Sequence, residues 1–295
     1  MTVESAGIGP IAVKKRRGGE KALYGLIYLL SAGILVMVLY FVVYILIRGV
    51  PTVTPAFLTT APNPIEKTVG IFPSLVNTLY IILFSLLISV PFGVGGAIYL
   101  NEYAKHRRLT SLIEFAAGIL SGVPSILYGI FGYVFFCVLL NLKVSLLAGV
   151  LTLTIMVLPI ILRTTQEALR AVPVSYREGA LGLAAAKWHM IRTLLLPCSL
   201  RGVLAGVILS IGRMVSESAA LLLVAGGSAM YMPTGSLFDQ LASSGSTLSV
   251  ELYRYAYARG DNETAFGIAA VLLLIVITLN ILTRLIAKHL TVSTS

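Results

Sequence analysis

Six long apolar runs constrain this sequence more than any other feature. A helix rises about 1.5 Å per residue, so about 20 apolar residues cross the ~30 Å hydrocarbon layer of a bilayer. The chain is 57% hydrophobic and only 12% charged, which leaves too little polar surface for a soluble globular protein. We therefore predict an all-α, polytopic membrane protein with six transmembrane helices.

The runs divide the chain into two tails, one peripheral helix and a core. We expect a cytoplasmic tail at 1–21, a first peripheral transmembrane helix at 22–47, an external loop at 48–73, a core at 74–290 and a C-terminal tail at 291–295. In the core, the expected spans are 74–100, 112–140, 144–162, 199–225 and 264–285, with a cytoplasmic loop at 163–198 and an external loop at 226–263. Pro124 is expected to kink the third span. The first run is too long for a cleaved signal peptide.

The basic residues give the expected orientation. With these spans, 16 of the 22 Lys and Arg residues fall on one side, five on the other, and Arg213 inside a span. Loops rich in Lys and Arg stay in the cytoplasm, so both termini of this plasma-membrane protein are expected there. The net charge of +10 then reflects topology in a lipid bilayer and not nucleic-acid binding. We expect no metal site, because the three histidines show no metal-ligand spacing and the bilayer is expected to separate Cys137 from Cys198.

Arg213 is the strongest candidate functional residue. It lies at the centre of the predicted span 199–225, too far from either surface for its side chain to reach water. An arginine at such a depth costs about 2.5–3.5 kcal/mol on insertion scales, so it is expected to serve function. Its planar fork of five donors suits a tetrahedral oxyanion. Glu217, four residues later on the same helical face, is expected to restrain Arg213 until the anion arrives; a purely structural ion pair is the alternative.

Three weaker candidates extend the predicted substrate pathway. Arg163, at the inner end of the fourth span, is either a second anion contact or an ordinary interface anchor. Asn77 and Thr78, near the start of the second span, either donate to an anion or join helices together.

The loop 163–198 contains more helix-forming residues than a simple connection needs. Pro173 suits a first helical position, and Glu178 suits the early turns of a helix. A second helical piece carries Lys187 and Trp188 and is expected to end at Pro197. Two short helices that meet near 182–186 would form an apolar knob for a groove on a partner protein. The alternative is an amphipathic helix on the inner membrane surface.

The same loop resembles the EAA loop of ABC importer permeases. Glu178, Gly179 and Ala180 match its Glu-Ala-Ala, and Leu196 and Pro197 match its final Leu-Pro. Gly179 replaces an alanine, and Ala184 stands at the family's glycine position, where Gly182 is expected to supply the flexibility. The resemblance implies that the loop couples to an ATPase subunit through Glu178, Gly179, Ala180, Leu181, Gly182, Ala184, Lys187, Trp188, Leu196 and Pro197.

Four further segments resemble a narrower family, the PstA-type phosphate-specific permeases. They are GIFPSLVNT at 70–78, PFGVGGAIYLNEY at 91–103, GVPSILYGIFG at 122–132 and GRMVSESAA at 212–220. This resemblance implies a type I (MetI-like) permease fold and a heterodimer with a paralogous permease. It also implies two copies of an ATP-binding cassette subunit and an external phosphate-binding protein.

The sequence contains no Gly-Lys dipeptide, so it cannot form a Walker A loop. We therefore expect a non-catalytic subunit that binds no cofactor, with ATP and Mg used by the partner ATPase. The expected function is import of inorganic phosphate, with the external loop 226–263 facing the binding protein. Two alternatives stay open: a permease for sulfate or molybdate, and a membrane sensor scaffold that transports nothing.

Overall fold

The computed structural model describes residues 17–63, 68–104, 106–227 and 236–290, without the side chains of 17–20, 107 and 286–290. Regular structure in these ranges is helical, apart from an isolated β-bridge between Asn63 and Thr68. This confirms the predicted all-α class. Most of the predicted N-terminal tail, the C-terminal tail 291–295, and residues 64–67 and 228–235 of the predicted external loops lie outside the described residues.

Thirteen α-helices, several extended by a π-helical turn, make up the described chain. They are α1 Arg17–Gly49, α2 Pro55–Thr59, α3 Phe72–Ile98, α4 Arg107–Gly122, α5 Ser125–Gly132, α6 Leu146–Arg170, α7 Val174–Gly182, α8 Lys187–Met190, α9 Leu196–Val215, α10 Ala219–Val224, α11 Leu237–Ala242, α12 Leu248–Tyr253 and α13 Asn262–Leu290. The π-helical turns are Tyr99–Tyr103, Tyr133–Leu139, Ile191–Leu195 and Arg254–Arg259.

Five helical stretches are long and apolar enough to cross a membrane. They are Lys21–Thr52, Phe72–Tyr103, Leu146–Arg170, Lys187–Val215 and Asn262–Leu285. The predicted third span is instead two helical pieces, Arg108–Gly122 and Ser125–Leu139, which meet at 104°. Pro124 lies at their junction, so the expected kink is close to a right angle. A proline has no N–H and disfavours helix at the residue before it, and this accounts for the position of the break.

Helix α6 lies at the centre of the core. The Ser145 hydroxyl caps its start by accepting from Ala148 N at 3.3 Å, and its inward side chains, such as Leu153, are fully buried. It packs between α3 and α9. Small residues permit these close contacts: a Cβ added to Gly93 of α3 would lie 2.7 Å from Ile161 Cγ2. Close helix packing through small residues is the usual source of association in membranes.

Two predicted boundaries differ from the structure at the α6–α9 connection. Helix α6 continues to Arg170, and the next long helix begins at Lys187, so the two long helices are connected by 171–186, and both extend into the predicted cytoplasmic loop 163–198. The expected helix end at Pro197 is also absent. The π-helical turn Ile191–Leu195 directly precedes α9, and such a turn re-arranges the hydrogen bonds that a proline interrupts.

The predicted fifth span, 199–225, is broken. Helix α9 ends at Val215, and α10 begins only at Ala219. The Ser216 hydroxyl donates to the carbonyls of Gly212 and Arg213, both at 3.1 Å. Serine side chains that bond nearby backbone groups in this way compete with helix continuation. Arg213 therefore lies in the last turn of α9 and not in the middle of a continuous helix.

Candidate functional site

The Arg213 guanidinium is only partly exposed and has few contacts. Its Nε is buried and has no hydrogen-bond partner, and Arg213 forms no ion pair, within the described part of the chain. It lies within electrostatic range of the Tyr128 hydroxyl, which donates to the Leu120 carbonyl at 2.7 Å. Buried donors are nearly always paired. This orphaned donor leaves Arg213 able to bind an acceptor from outside the described chain, so Arg213 stays a candidate binding residue.

Glu217 does not restrain Arg213 in the structure. The helix breaks between the two residues, so they do not share a helical face. Glu217 is 7% exposed, and its Oε1 accepts from the Ala220 N–H at 3.0 Å. A carboxylate there satisfies one of the unpaired N–H groups at the start of α10 and suits the helix dipole. Glu217 is thus placed to fix the break that follows Arg213.

Asn77 and Thr78 anchor part of the predicted external loop 226–263. Residues 245–251 of that loop are buried and contact the start of α3. Asn77 Nδ2 donates to the Ser246 carbonyl at 3.2 Å, and the Thr78 hydroxyl accepts from Leu248 N at 2.9 Å. Of the two roles left open for Asn77 and Thr78, the structure shows this anchoring contact; contact with an anion stays a prediction.

The buried segment 245–251 also reaches the break after α9. The Ser249 hydroxyl donates to the Glu217 carbonyl at 2.7 Å. Glu251, whose side chain is 4% exposed, pairs with Arg254 at 2.8 Å, and Arg254 donates to the Gly227 carbonyl. The surroundings of Arg213 are therefore fixed by side chains from three separate parts of the sequence.

Arg163 is exposed on α6 and lies against α4, where a Cβ added to Gly118 would be 3.6 Å from its Nη2. The structure does not bring it beside Arg213. The neighbouring Thr164 packs against Gly206 of α9, and Arg213 lies seven residues, or about 10 Å, farther along that helix. The two arginines thus occupy different levels of the core.

The residues predicted to couple to an ATPase form an exposed surface. Helix α7 buries none of its side chains, and Trp188 is 60% exposed; Leu183, which was not among the predicted coupling residues, is 86% exposed. Of the other coupling residues, Glu178, Gly179, Leu181, Gly182, Ala184 and Lys187 are exposed, and Ala180, Leu196 and Pro197 are half-buried. Ala180 packs against a cluster that includes Ile98 and Ile191, which explains a small residue there. This surface has the shape of the predicted knob.

Ala184, and not Gly182, makes the turn between α7 and α8. Gly182 is the last residue of α7, whereas Ala184 has a φ of 57°. That left-handed conformation favours glycine because it crowds a Cβ against the following carbonyl. The turn thus occurs at Ala184 itself, and the flexibility expected of Gly182 stays a prediction. The left-handed conformation explains the glycine of the EAA pattern at this position, and this chain adopts that conformation with an alanine.

Sequence reasoning missed an ion pair that holds α7 to the core. Arg177 Nη2 lies 3.2 Å from Glu102 Oε1, although the two residues are 75 positions apart. The one available signal was Pro173, which lacks an N–H and so leaves a carbonyl of the preceding turn without its helical partner.

Comparison with known proteins agrees with this arrangement. Residues 89–292 match the family model described as binding-protein-dependent transport system inner membrane component. The chain is 36% identical over 211 residues to a probable ABC transporter permease protein, YqgI, of Bacillus subtilis (strain 168), covering 72% of each chain. It is 31% identical over 278 residues to the phosphate transport system permease protein PstA of Haemophilus influenzae, covering 93% of this chain and 95% of that one.

Solved structures share the fold. The MetNI methionine ABC transporter in an inward-facing conformation matches with a TM-score of 0.58 and 19% identity, over 76% of this chain and 95% of that chain. A bacterial ABC transporter involved in import of alginate matches with a TM-score of 0.59 and 16% identity, over 87% of this chain and 95% of that chain.

The family match and the named relatives place the chain among the transmembrane permeases of ABC importers. The chain belongs to the family of binding-protein-dependent transport system inner membrane components. This confirms the predicted permease family, and it makes the chain a multi-pass protein of a prokaryotic plasma membrane.

Proposed function

We propose that this chain is a permease subunit of an ABC importer that carries inorganic phosphate across the plasma membrane into the cell. The observation that carries the proposal is the buried Arg213 Nε, which has no acceptor among the described residues. A guanidinium offers planar, charge-assisted donors to a tetrahedral oxyanion. Relatives named as phosphate transport permeases, matched over 93% of this chain in one case, support phosphate as the oxyanion.

The proposed assembly has four kinds of chain. The permease pairs with a paralogous permease, two copies of an ATP-binding cassette subunit bind from the cytoplasm, and a phosphate-binding protein docks outside. ATP and Mg are used by the ATPase subunits, since this sequence has no Gly-Lys dipeptide for a phosphate-binding loop. Both termini are then cytoplasmic, α7 enters a groove on the ATPase, and the loop 226–263 faces the binding protein.

In the proposed mechanism, Arg213 binds the anion and the residues around it hold the site open to one side at a time. Glu217 fixes the start of α10, so it sets the position of the chain just after Arg213. Asn77 and Thr78 hold the buried segment 245–251 against the same region. Arg163, at its different level, contacts the anion later on the route inward.

The test is accumulation of radiolabelled phosphate in vesicles that contain the complete importer. We expect accumulation that requires ATP and the binding protein, and that excess sulfate or molybdate does not inhibit. Accumulation of labelled sulfate or molybdate in place of phosphate would assign that anion as cargo. ATP hydrolysis stimulated by the binding protein without accumulation would identify a sensor and overturn the proposal. Arg213→Gln should abolish uptake, while Arg192→Gln, at an exposed arginine, should not.

A further inference from the structure

Arg177 donates hydrogen bonds to three groups at the basic end of the core, which we define as residues 99–104 and 167–192. Its Nη2 donates to the Leu169 carbonyl at 2.8 Å and its Nη1 to the Val172 carbonyl at 3.1 Å. Its Nε donates to Glu102 Oε1 at 3.3 Å. One side chain on α7 therefore holds the end of α6 and the π-helical turn that follows α3.

The acceptors are groups that this donor stabilises. The residue four positions after Leu169 is Pro173, which has no N–H to offer, and the Leu169 carbonyl has a long bond from Val172 N at 3.4 Å besides the bond from Arg177. A cation at the end of α6 is also favoured by the helix dipole. The Glu102 side chain is only 7% exposed, and Asn101 donates to the same carboxylate oxygen at 2.7 Å. Removing Arg177 would leave two carbonyls and a nearly buried carboxylate without a cation.

Apolar packing does little to fasten α7. None of its side chains is fully buried, and Ala180 is its half-buried contact with the core. Lys187 attaches the far end of the connection to the same place, because its Nζ donates to the Glu102 carbonyl and lies 5.1 Å from the Tyr103 ring centroid. Arg177 on α7 and Lys187 at the start of α8 thus both bond Glu102.

We propose that Arg177 is a positioning residue that makes α7, the end of α6 and the end of α3 move as one body. This rests on the proposed function, in which an ATPase subunit pushes on α7. Polar and ionic bonds resist separation of the parts they join, whereas the single alanine contact gives little resistance. Without Arg177, a push on α7 would move α7 alone, and ATP hydrolysis would be uncoupled from movement of the two spans.

The first test compares phosphate uptake with ATP hydrolysis in the reconstituted importer. Arg177→Gln is expected to keep assembly and ATP hydrolysis but to lower uptake per ATP about tenfold, within the range of coupling between linked sites. Glu102→Gln should do the same. The double variant should be no worse than Arg177→Gln alone, because the bond to Glu102 is already among those that Arg177→Gln removes. Arg177→Lys, which keeps the charge but not the planar fork, should fall between Arg177→Gln and the native chain.

Arg192→Gln is the matched control, since Arg192 is exposed at the same end of the core, and its uptake per ATP should be unchanged. Uptake per ATP within twofold of the native value in Arg177→Gln would overturn the proposal. If Arg177→Gln does not assemble, Glu102→Gln carries the same test, because it leaves both carbonyl bonds of Arg177 in place.

A second measurement does not depend on phosphate. Spin labels at Ser175→Cys on α7 and Tyr99→Cys after α3, both exposed, would be placed in an importer whose Cys137 and Cys198 are replaced by Ser. We expect one narrow distance distribution, unchanged when ATP binds, and a broad or ATP-dependent distribution in Arg177→Gln. A narrow, unchanged distribution in Arg177→Gln would refute the linkage. Lack of phosphate uptake by the native importer would instead refute the proposed function and leave this measurement valid.

Discussion

Removing the charge of Arg213 should stabilise the protein while it abolishes transport. A buried donor without a partner costs about 1–3 kcal/mol, and more when the group is charged. Arg213 Nε is such a donor. Arg213→Met keeps a long, flexible side chain and removes the orphaned N–H, so we expect the free energy of unfolding to rise by ~1–3 kcal/mol. Phosphate uptake by the same variant should fall to background.

The assay is unfolding of the purified permease by increasing denaturing detergent, beside uptake in vesicles. Arg254→Met is the control, because Arg254 pairs with Glu251, whose side chain is 4% exposed. Breaking a fully buried pair costs about 3–5 kcal/mol. Arg254 is 28% exposed, so we expect a smaller loss of stability, of opposite sign to the effect of Arg213→Met.

The sign of the change separates the two interpretations of Arg213. If Arg213 held helices together, its replacement would lower the free energy of unfolding, as we expect for Arg254→Met. That result would refute the view that Arg213 is kept for an anion. If Arg213→Met is stabilised but still takes up phosphate, the same view is refuted, because transport would then not need the orphaned donor.

Three further changes have expected outcomes. Ala184→Gly should slow hydrogen exchange in 183–190, since a left-handed alanine costs about 1–2 kcal/mol and glycine returns roughly half of that as backbone entropy. Thr78→Val should lower the free energy of unfolding by ~1–3 kcal/mol, because Leu248 N loses its buried acceptor; unchanged exchange of the Leu248 amide would contradict this. Hydrogen bonds from the Ser236 side chain and backbone lower the pKa of Asp239. The ionised Asp239 carboxylate should therefore stabilise α11 at neutral pH, and this stabilisation should be lost as the pH falls through the lowered pKa. Faster hydrogen exchange of the Asp239 amide would show the loss.

The spans could be predicted because apolar length is a property of the sequence alone, but helix breaks inside an apolar run could not. Residues 199–225 include the polar group Arg213, Ser216, Glu217 and Ser218, but hydropathy alone does not distinguish a broken helix from a continuous one there. The break depends on where the Ser216 hydroxyl and the Glu217 carboxylate find backbone partners. The depth of Arg213 in the bilayer stays a prediction, whereas its position in the last turn of a helix could not be predicted.

The coupling loop was predicted as an exposed knob, but its attachment was not. The pattern of Glu178 to Pro197 is local in sequence and could be compared with a family. The bond between Arg177 and Glu102 joins distant positions, and nothing in either segment specifies the other. Proline also misled in one case: Pro173 does lie where α6 has ended, whereas Pro197 lies inside a continuous helical stretch, because the preceding π-helical turn accommodates it.

One continuous helical stretch joins the two parts of the proposed mechanism. Lys187, bonded to the Glu102 carbonyl, begins the stretch Lys187–Val215, and Arg213 lies in its last turn. Gly206 packs against Thr164 of the central helix α6, about 28 Å from Lys187 and ~10 Å from Arg213 along the axis. Gly202 of the same stretch packs against Ala168, so the stretch is held to α6 at two levels and would move with the joined ends of α3, α6 and α7. A push on the basic end of the core would thus displace the anion-binding guanidinium through one continuous helix, and such a displacement is what a site needs to change the side from which it is reached.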